Sequence, residues 1–344
     1  MGFATRNSRL LIGMATAASG MLAAAAVIGI AGTAGAATAG ATVKAAPATT
    51  PSDGYQFVTA GSDRDRTFNQ LLGINNEGVI AGYFGSGVKG HPNKGYQILP
   101  PYAQGDIHSE NFPHSVQTQV TGLNDKGVTV GFFSEENNKN NVNNNFGWYA
   151  VGGHFHEVNF PTGTPAKPPV DQLLGVNNHD IAVGFFTNAS GINRGYTYNI
   201  AKKTFSRVLP PGANNNNLGP SLTAAAINDG GDVAGSYSPT SSATDGFLKL
   251  HNGVFLKFAV PGAMMTQPFG LNNSDTVVGT YTLSNGDTFG FIYKLGHGIT
   301  ATNISDPNGV GTTVLNGINN ENDIVGFYTD GAGNVDGLLG YPAF

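Results

Sequence analysis

The sequence predicts an all-β chain, a six-bladed β-propeller of four-stranded antiparallel blades whose ring is closed by an N-terminal strand completing the last blade. Three observations predict it. One signature recurs six times: Gly73-Ile74-Asn75-Asn76, Gly122-Leu123-Asn124-Asp125, Gly175-Val176-Asn177-Asn178, Ala226-Ile227-Asn228-Asp229, Gly270-Leu271-Asn272-Asn273 and Gly317-Ile318-Asn319-Asn320. Successive copies lie 49, 53, 51, 44 and 47 residues apart, a period suited to four short strands per copy. Charged residues make up only 11%, while Gly reaches 50 and Asn 36 of 344 residues, a composition poor for long amphipathic helices.

Within each copy the fixed part reads as a hairpin. The first Asn stands seven residues before a glycine in every case (Gly82, Gly131, Gly184, Gly235, Gly279, Gly326), so length varies elsewhere. Asn75-Asn76 starts a turn, and Gly78 suits its left-handed position. Copies three, five and six place Asp180, Asp275, and Asn322 or Asp323 there, residues that tolerate such backbone less well. The glycine after the turn lacks a side chain and predicts close approach of a neighbouring backbone. A variable loop follows, then a third strand opened by Gly95-Tyr96, Gly147-Trp148, Gly195-Tyr196, Gly246-Phe247, Gly290-Phe291 or Gly337-Leu338. A short turn leads to a fourth strand, such as Phe205–Pro210 or Phe255–Gly262.

One such unit cannot bury both faces of its sheet, so the copies must pack against each other. A stacked solenoid would need polar capping repeats, and none is visible. The sixth copy stops at Tyr341-Pro342-Ala343-Phe344 where its fourth strand should begin, while Tyr55–Gly61 has the spacing of a fourth strand with no copy before it. A ring can use that offset.

Arg6 and Arg9, an apolar stretch from Leu10 to Ile30, and Ala34-Gly35-Ala36 predict a secretory signal peptide over 1–36. The stretch is also long enough for an anchor, but its Ala, Gly and Thr content and small-residue end favour cleavage. Residues 37–52 read as a flexible linker and 53–344 as the propeller. The expected location is therefore extracellular. With no cysteine, the fold must hold without disulfides. Lys plus Arg total 17 and the net charge is −5, which removes nucleic acid as a default partner. No membrane association is expected after cleavage.

The repeats resemble the HAF-type extracellular repeat proteins of bacteria, whose units read Phe-x-x-(Ile/Val)-x-x-Pro-Gly-Ala, then Gly-Ile-Asn-x-x-Gly-x-Ile-Val-Gly-x-Tyr, then Gly-x-x-His-(Ala/Gly)-Phe-Leu. The resemblance rests on Val260-Pro261-Gly262-Ala263, Gly317-Ile318-Asn319-Asn320 and Ile324-Val325-Gly326-Phe327-Tyr328, and spans the expected folded part. At that family's histidine this chain has Lys94, Phe146, Arg194, Asp245, Phe289 and Asp336. The resemblance implies a secreted bacterial repeat protein and carries over no activity.

The Asx turns and the short turns between third and fourth strands fall on one face of such a ring. The variable loops fall on the other, where a rigid scaffold commonly binds. Tolerated insertion explains the same variation. On the loop face Ser134 to Asn145 is dense in Asn, and the candidate binding residues are Asn140, Asn141, Asn143 and Asn144 with His91 and His114. Carboxamides donate and accept without charge, which suits carbohydrate or other cell-envelope material.

Candidates for chemistry are thinner. His91, Asp106, His108, Glu110 and His114 cluster in sequence, and His154 and His156 alternate on one strand without a third ligand. Asp330 to Asp336 has calcium-like oxygen spacing but lacks the closing Glu, so it reads as a turn. Trp148 sits at the blade-packing position also held by Tyr96, Tyr196, Phe247 and Phe291, and reads as core. No motif calls for a cofactor. Two readings remain: a binding or interaction module, and an extracellular enzyme of glycan lyase or hydrolase type at the central tunnel mouth. The Leu, Gly, Val and Ala of the inner strands favour the first.

Overall fold

The computed structural model describes residues 54–135, 144–214, 217–240 and 243–343. The expected signal peptide and linker lie outside them. The described chain is all-β apart from one 3-10 turn at Gln104–Asp106. Among the described residues no helix is long and apolar enough to cross a membrane.

The strands form antiparallel sheets of four. In the first, Asn69–Ile74, Ile80–Phe84, Lys94–Ile98 and Ile107–Ser109 follow each other from the inside out. The same succession begins again at the inner strands Gln117–Leu123, Asp171–Val176, Ser221–Ile227, Met265–Leu271 and Thr313–Ile318. One parallel pairing, Thr244 with Met265, joins the fourth and fifth sheets. The last sheet takes its outer strand from the other end of the chain: Tyr55–Thr59 pairs antiparallel with Val335–Pro342, Thr59 opposite Leu338 and Gln56 opposite Tyr341. This is the pairing that the complementary chain ends predict. Outer strands are shorter than expected, Thr204–Arg207 and Phe255–Phe258, because the Pro-Gly stretches after them bend away to the next inner strand. In the first repeat the outer strand is reached through the 3-10 turn, not a short hairpin.

Each signature folds one turn and ties it to its neighbour. Asn177 Oδ1 accepts the amides of His179 and Ile181, both at 3.0 Å, and its Nδ2 donates to the Asn228 carbonyl of the next repeat at 2.9 Å. Copies one to five all reach forward in this way. The second Asx closes a cycle: the amides of Asn76, Asp125, Asn178, Asp229, Asn273 and Asn320 each donate to Oδ1 of the next, and Asn320 returns to Asn76 at 2.9 Å. Gly78, Asp180, Asp275 and Asn322 all hold positive φ, between 55° and 76°, so Asn322 rather than Asp323 takes the left-handed place.

Every inner strand carries one extra residue just before the signature, where the register slips between Leu173 and Gly175 and at five equivalent places. The extra residues Leu174, Ala225 and Phe269 come together in one apolar cluster with Phe185. Signature glycines of neighbouring repeats meet there: a Cβ on Gly317 would lie 3.1 Å from the Gly73 Cα. Elsewhere the core lies between repeats, with Trp148, Tyr96, Tyr196, Phe247 and Phe291 fully buried as expected.

In five of the six repeats, the residue six before the signature Asn is a buried acceptor that caps the incoming connection, Leu222 being the exception. Asn69, Thr118, Thr266 and Thr313 do this as neutral groups, and Asp171 does it with a carboxylate, accepting the Phe160 amide at 2.7 Å and the Tyr196 hydroxyl at 2.5 Å. Burial pushes the Asp171 carboxyl from 3.8 up to about 7 against those two hydrogen bonds. Because the folded value exceeds the unfolded one, this group favours the folded state most below pH 3.8, and its contribution is lost as pH rises towards 7. Asp336, pushed up to about 6 by burial and by Asp330 and Asp306, acts in the same direction. The expected result is a Tm that falls between pH 4 and 7. In Asp171→Asn the fall should be shallower and end near pH 6, and an unchanged slope in thermal melts would contradict this account.

Candidate functional site

The candidate site is built where the first repeat meets the second, on the loop face. A cavity of about 360 Å³ opens there. The first repeat supplies Ser86, Gly87 and Val88 from the loop after its second strand, with Asn93 at the start of its third. The second supplies Gln117, Thr118 and Gln119 from its inner strand, with Phe132, Ser134 and Asn145 beside them. Asn93 is locked in place: its Nδ2 donates to the Gly85 carbonyl, and its Oδ1 accepts Gln119 Nε2 at 3.0 Å. The same cross-repeat couple recurs as Asn145 with Gln172 at 2.8 Å and Asn193 with Thr223 at 3.1 Å. Where the last repeat meets the first, Val335 holds the equivalent place, and the buried Gln70 Nε2 has no hydrogen-bond partner among the described residues.

Gln117 is held less firmly. Its Oε1 accepts the Asn93 amide at 3.3 Å and its Nε2 donates to the Gly87 carbonyl at 3.4 Å, both long for hydrogen bonds. Gln119 Oε1 and the Ser86 hydroxyl make no hydrogen bond with any described residue. No described lining residue carries a formal charge. The site therefore presents neutral donors and acceptors beside the apolar surface of Phe132 and Val88, an arrangement for holding hydroxyl groups by exchange of hydrogen bonds.

Of the sequence candidates, Asn140, Asn141 and Asn143 lie outside the described residues. Asn144 is buried and works as a clasp: its carbonyl accepts the Ser134 hydroxyl at 2.6 Å and its Oδ1 the Glu135 amide at 2.9 Å. His91 does not line the cavity; its carbonyl accepts the amide of the lining residue Gly87 at 2.8 Å, and its exposed ring lies 3.1 Å from Asp65. His114 is an exposed turn residue with φ 63° and does not line the cavity.

The other histidines and acids of the first repeat point apart. Glu110 is half-buried against Gln97 and Thr129, which donate to it, and desolvation raises its carboxyl pKa. Among the described residues no three His, Asp or Glu side chains gather closely enough to hold a metal. His154 and His156 lie on an exposed outer strand, His156 stacked on Tyr149 at 4.7 Å. Asp330 spends its oxygens on the amides of Ala332 and Asn334 and the Asn334 side chain, closing its own turn. Lys94 and Arg194 donate instead to carbonyls of the connection into the next repeat, Lys94 to Val116 at 3.1 Å and Arg194 to Gly219 at 2.8 Å. A second cavity of about 70 Å³ lies on the turn face inside the Asx cycle, where the side chains already bind one another.

Sequence reading missed Ser86, Asn93, Gln117 and Gln119. One signal was present: Gln70, Gln119, Gln172 and Gln267 each stand five residues before a signature Asn, a recurring polar side chain on the inner strands.

No protein-family profile and no curated sequence matches the chain. Solved structures do. A protein assigned as TolB of Agrobacterium tumefaciens superposes with TM-score 0.53 at 9% identity, over 80% of this chain and 91% of its own. Aleuria aurantia lectin in complex with Fucα1-6GlcNAc superposes with TM-score 0.50 at 10% identity, over 79% of this chain and 91% of its own, and that lectin is described as a six-bladed β-propeller. An ulvan lyase, at TM-score 0.41 and 13% identity over 87% of this chain and 91% of its own, is too distant to carry an argument. The fold is a β-propeller.

Proposed function

We propose that this chain is a six-bladed β-propeller of the HAF-like repeat type, exported from a bacterial cell, that binds carbohydrate on its loop face. The observation that carries the reading is the 360 Å³ cavity between the first two repeats, which the described residues line with amides and hydroxyls and without a charged group. Such a lining recognises polyhydroxyl ligands by hydrogen bonding, and its described residues offer no acid or base for bond cleavage, which favours binding over lyase or hydrolase chemistry. The likeness to a fucose-binding lectin fold is consistent with this reading at the level of architecture.

Glycan-array binding of the full mature protein tests it. Ser86→Trp, which places an indole in the cavity, should abolish binding with little change in Tm. Lys202→Trp, on an exposed turn of the opposite face, should leave binding intact. An array without a bound glycan, or binding that Ser86→Trp leaves untouched, would defeat the proposal.

A further inference from the structure

Building on the carbohydrate reading of this cavity, we infer that the site selects an uncharged sugar, one or two pyranose units at the end of a glycan, and that Gln117, Gln119 and Ser86 are its polar ligands. Size sets the first limit. A cavity of 360 Å³ has room for roughly twelve water-sized units at about 30 Å³ each, enough for one or two sugar rings and too little for an extended chain.

Charge sets the second. A uronate or sulfated unit seated there would leave water without a cationic partner, and an unpaired buried anion is strongly disfavoured. Among the described residues the lining holds no Lys, Arg or His. Lys94, next to Asn93 in sequence, donates to the Val116 carbonyl at 3.1 Å.

Hydrogen-bonding capacity identifies the ligands. Gln119 Oε1 and Ser86 Oγ are unengaged by described residues, so a sugar hydroxyl donates to the first and either donates to or accepts from the second. Gln117 gives up bonds of 3.3 and 3.4 Å when its amide turns to a ligand, a small loss against shorter new ones. Asn93 does not join them, since both ends of its amide are committed.

Isothermal titration of the full mature protein with methyl glycosides of neutral hexoses and 6-deoxyhexoses, and in parallel with glucuronate and galacturonate, tests the inference. Neutral glycosides should bind with little dependence on salt, and uronates should not. Gln117→Leu and Ser86→Ala should each weaken binding about tenfold or more. Gln119→Leu should do the same, and because it also removes the partner of Asn93, its Tm is measured alongside. Uronates that bind as tightly as neutral sugars, or neutral binding unchanged in both Gln117→Leu and Ser86→Ala, would overturn this selectivity while leaving a carbohydrate-binding propeller standing. Failure of every sugar, on the array as in titration, would overturn the carbohydrate reading itself.

Discussion

Deleting Tyr55–Thr59 from the otherwise full chain should abolish cooperative melting and drive the protein into aggregates. Five residue pairs join this strand to Leu338–Pro342, Tyr55 donates its hydroxyl to the Asn322 carbonyl at 3.2 Å, and the Thr59 hydroxyl lies 2.8 Å from that of Tyr328. Tyr55 belongs to the buried cluster of Ile304, Leu315, Ile324 and Leu338, with Phe57 packed against it. Losing those two aromatic contacts removes about 2 to 5 kcal/mol of burial, a large share of a typical domain's 5 to 15 kcal/mol. The deletion also exposes Val335–Pro342 as an open edge, a template for pairing with other chains. Thermal melts and sedimentation measure both effects. A soluble deletion variant that melts like the parent would show that the ring holds without its closing strand.

Gly184→Val should destabilise the protein by about 3 kcal/mol or more, at or above the upper end of ordinary overpacking. Its Cβ would stand 2.0 Å from the Gln172 carbonyl oxygen and 3.0 Å from the Leu173 Cα. Both are backbone, so no rotamer change relieves the clash. The bulge at Leu174 aims that carbonyl across the strand pair, and all six repeats share the geometry: at Gly131 the distance is 2.0 Å and at Gly326 1.8 Å. Gly163→Val is the matched control, an exposed position with nothing within 4 Å of its Cβ, where a change within about 0.5 kcal/mol is expected. Denaturant unfolding compares the two. Equal midpoints would mean that the repeated glycine is not required by packing, and a stable Gly184→Val that had lost its ligand would place it in the site.

Much of the fold was legible because its determinants are close in sequence. The signature Asn bonds to amides two and four residues on, the left-handed place follows it at a fixed distance, and strand alternation is a property of neighbours. The site was less legible. The histidines and acids of the first repeat are near in sequence, yet Glu110, just past the outer strand, turns into a half-buried contact with Thr129 of the next repeat while the His91 ring stays exposed beside Asp65. Asn144 matched the expected loop but spends its polar atoms within it.

The sequence by itself determined the repeat, its turn chemistry, the need for a glycine after each hairpin, and the complementary chain ends, since each is a local demand of backbone geometry or of an unpaired strand. Only the tertiary structure decided that the second Asx residues close a cycle of hydrogen bonds, that Asp171 is a buried carboxylate, and that Ser86, Gln117 and Gln119 share one cavity. These depend on how one repeat packs against the next, which brings together groups about 30 to 50 residues apart, and no short-range pattern in the chain encodes which side chains then meet.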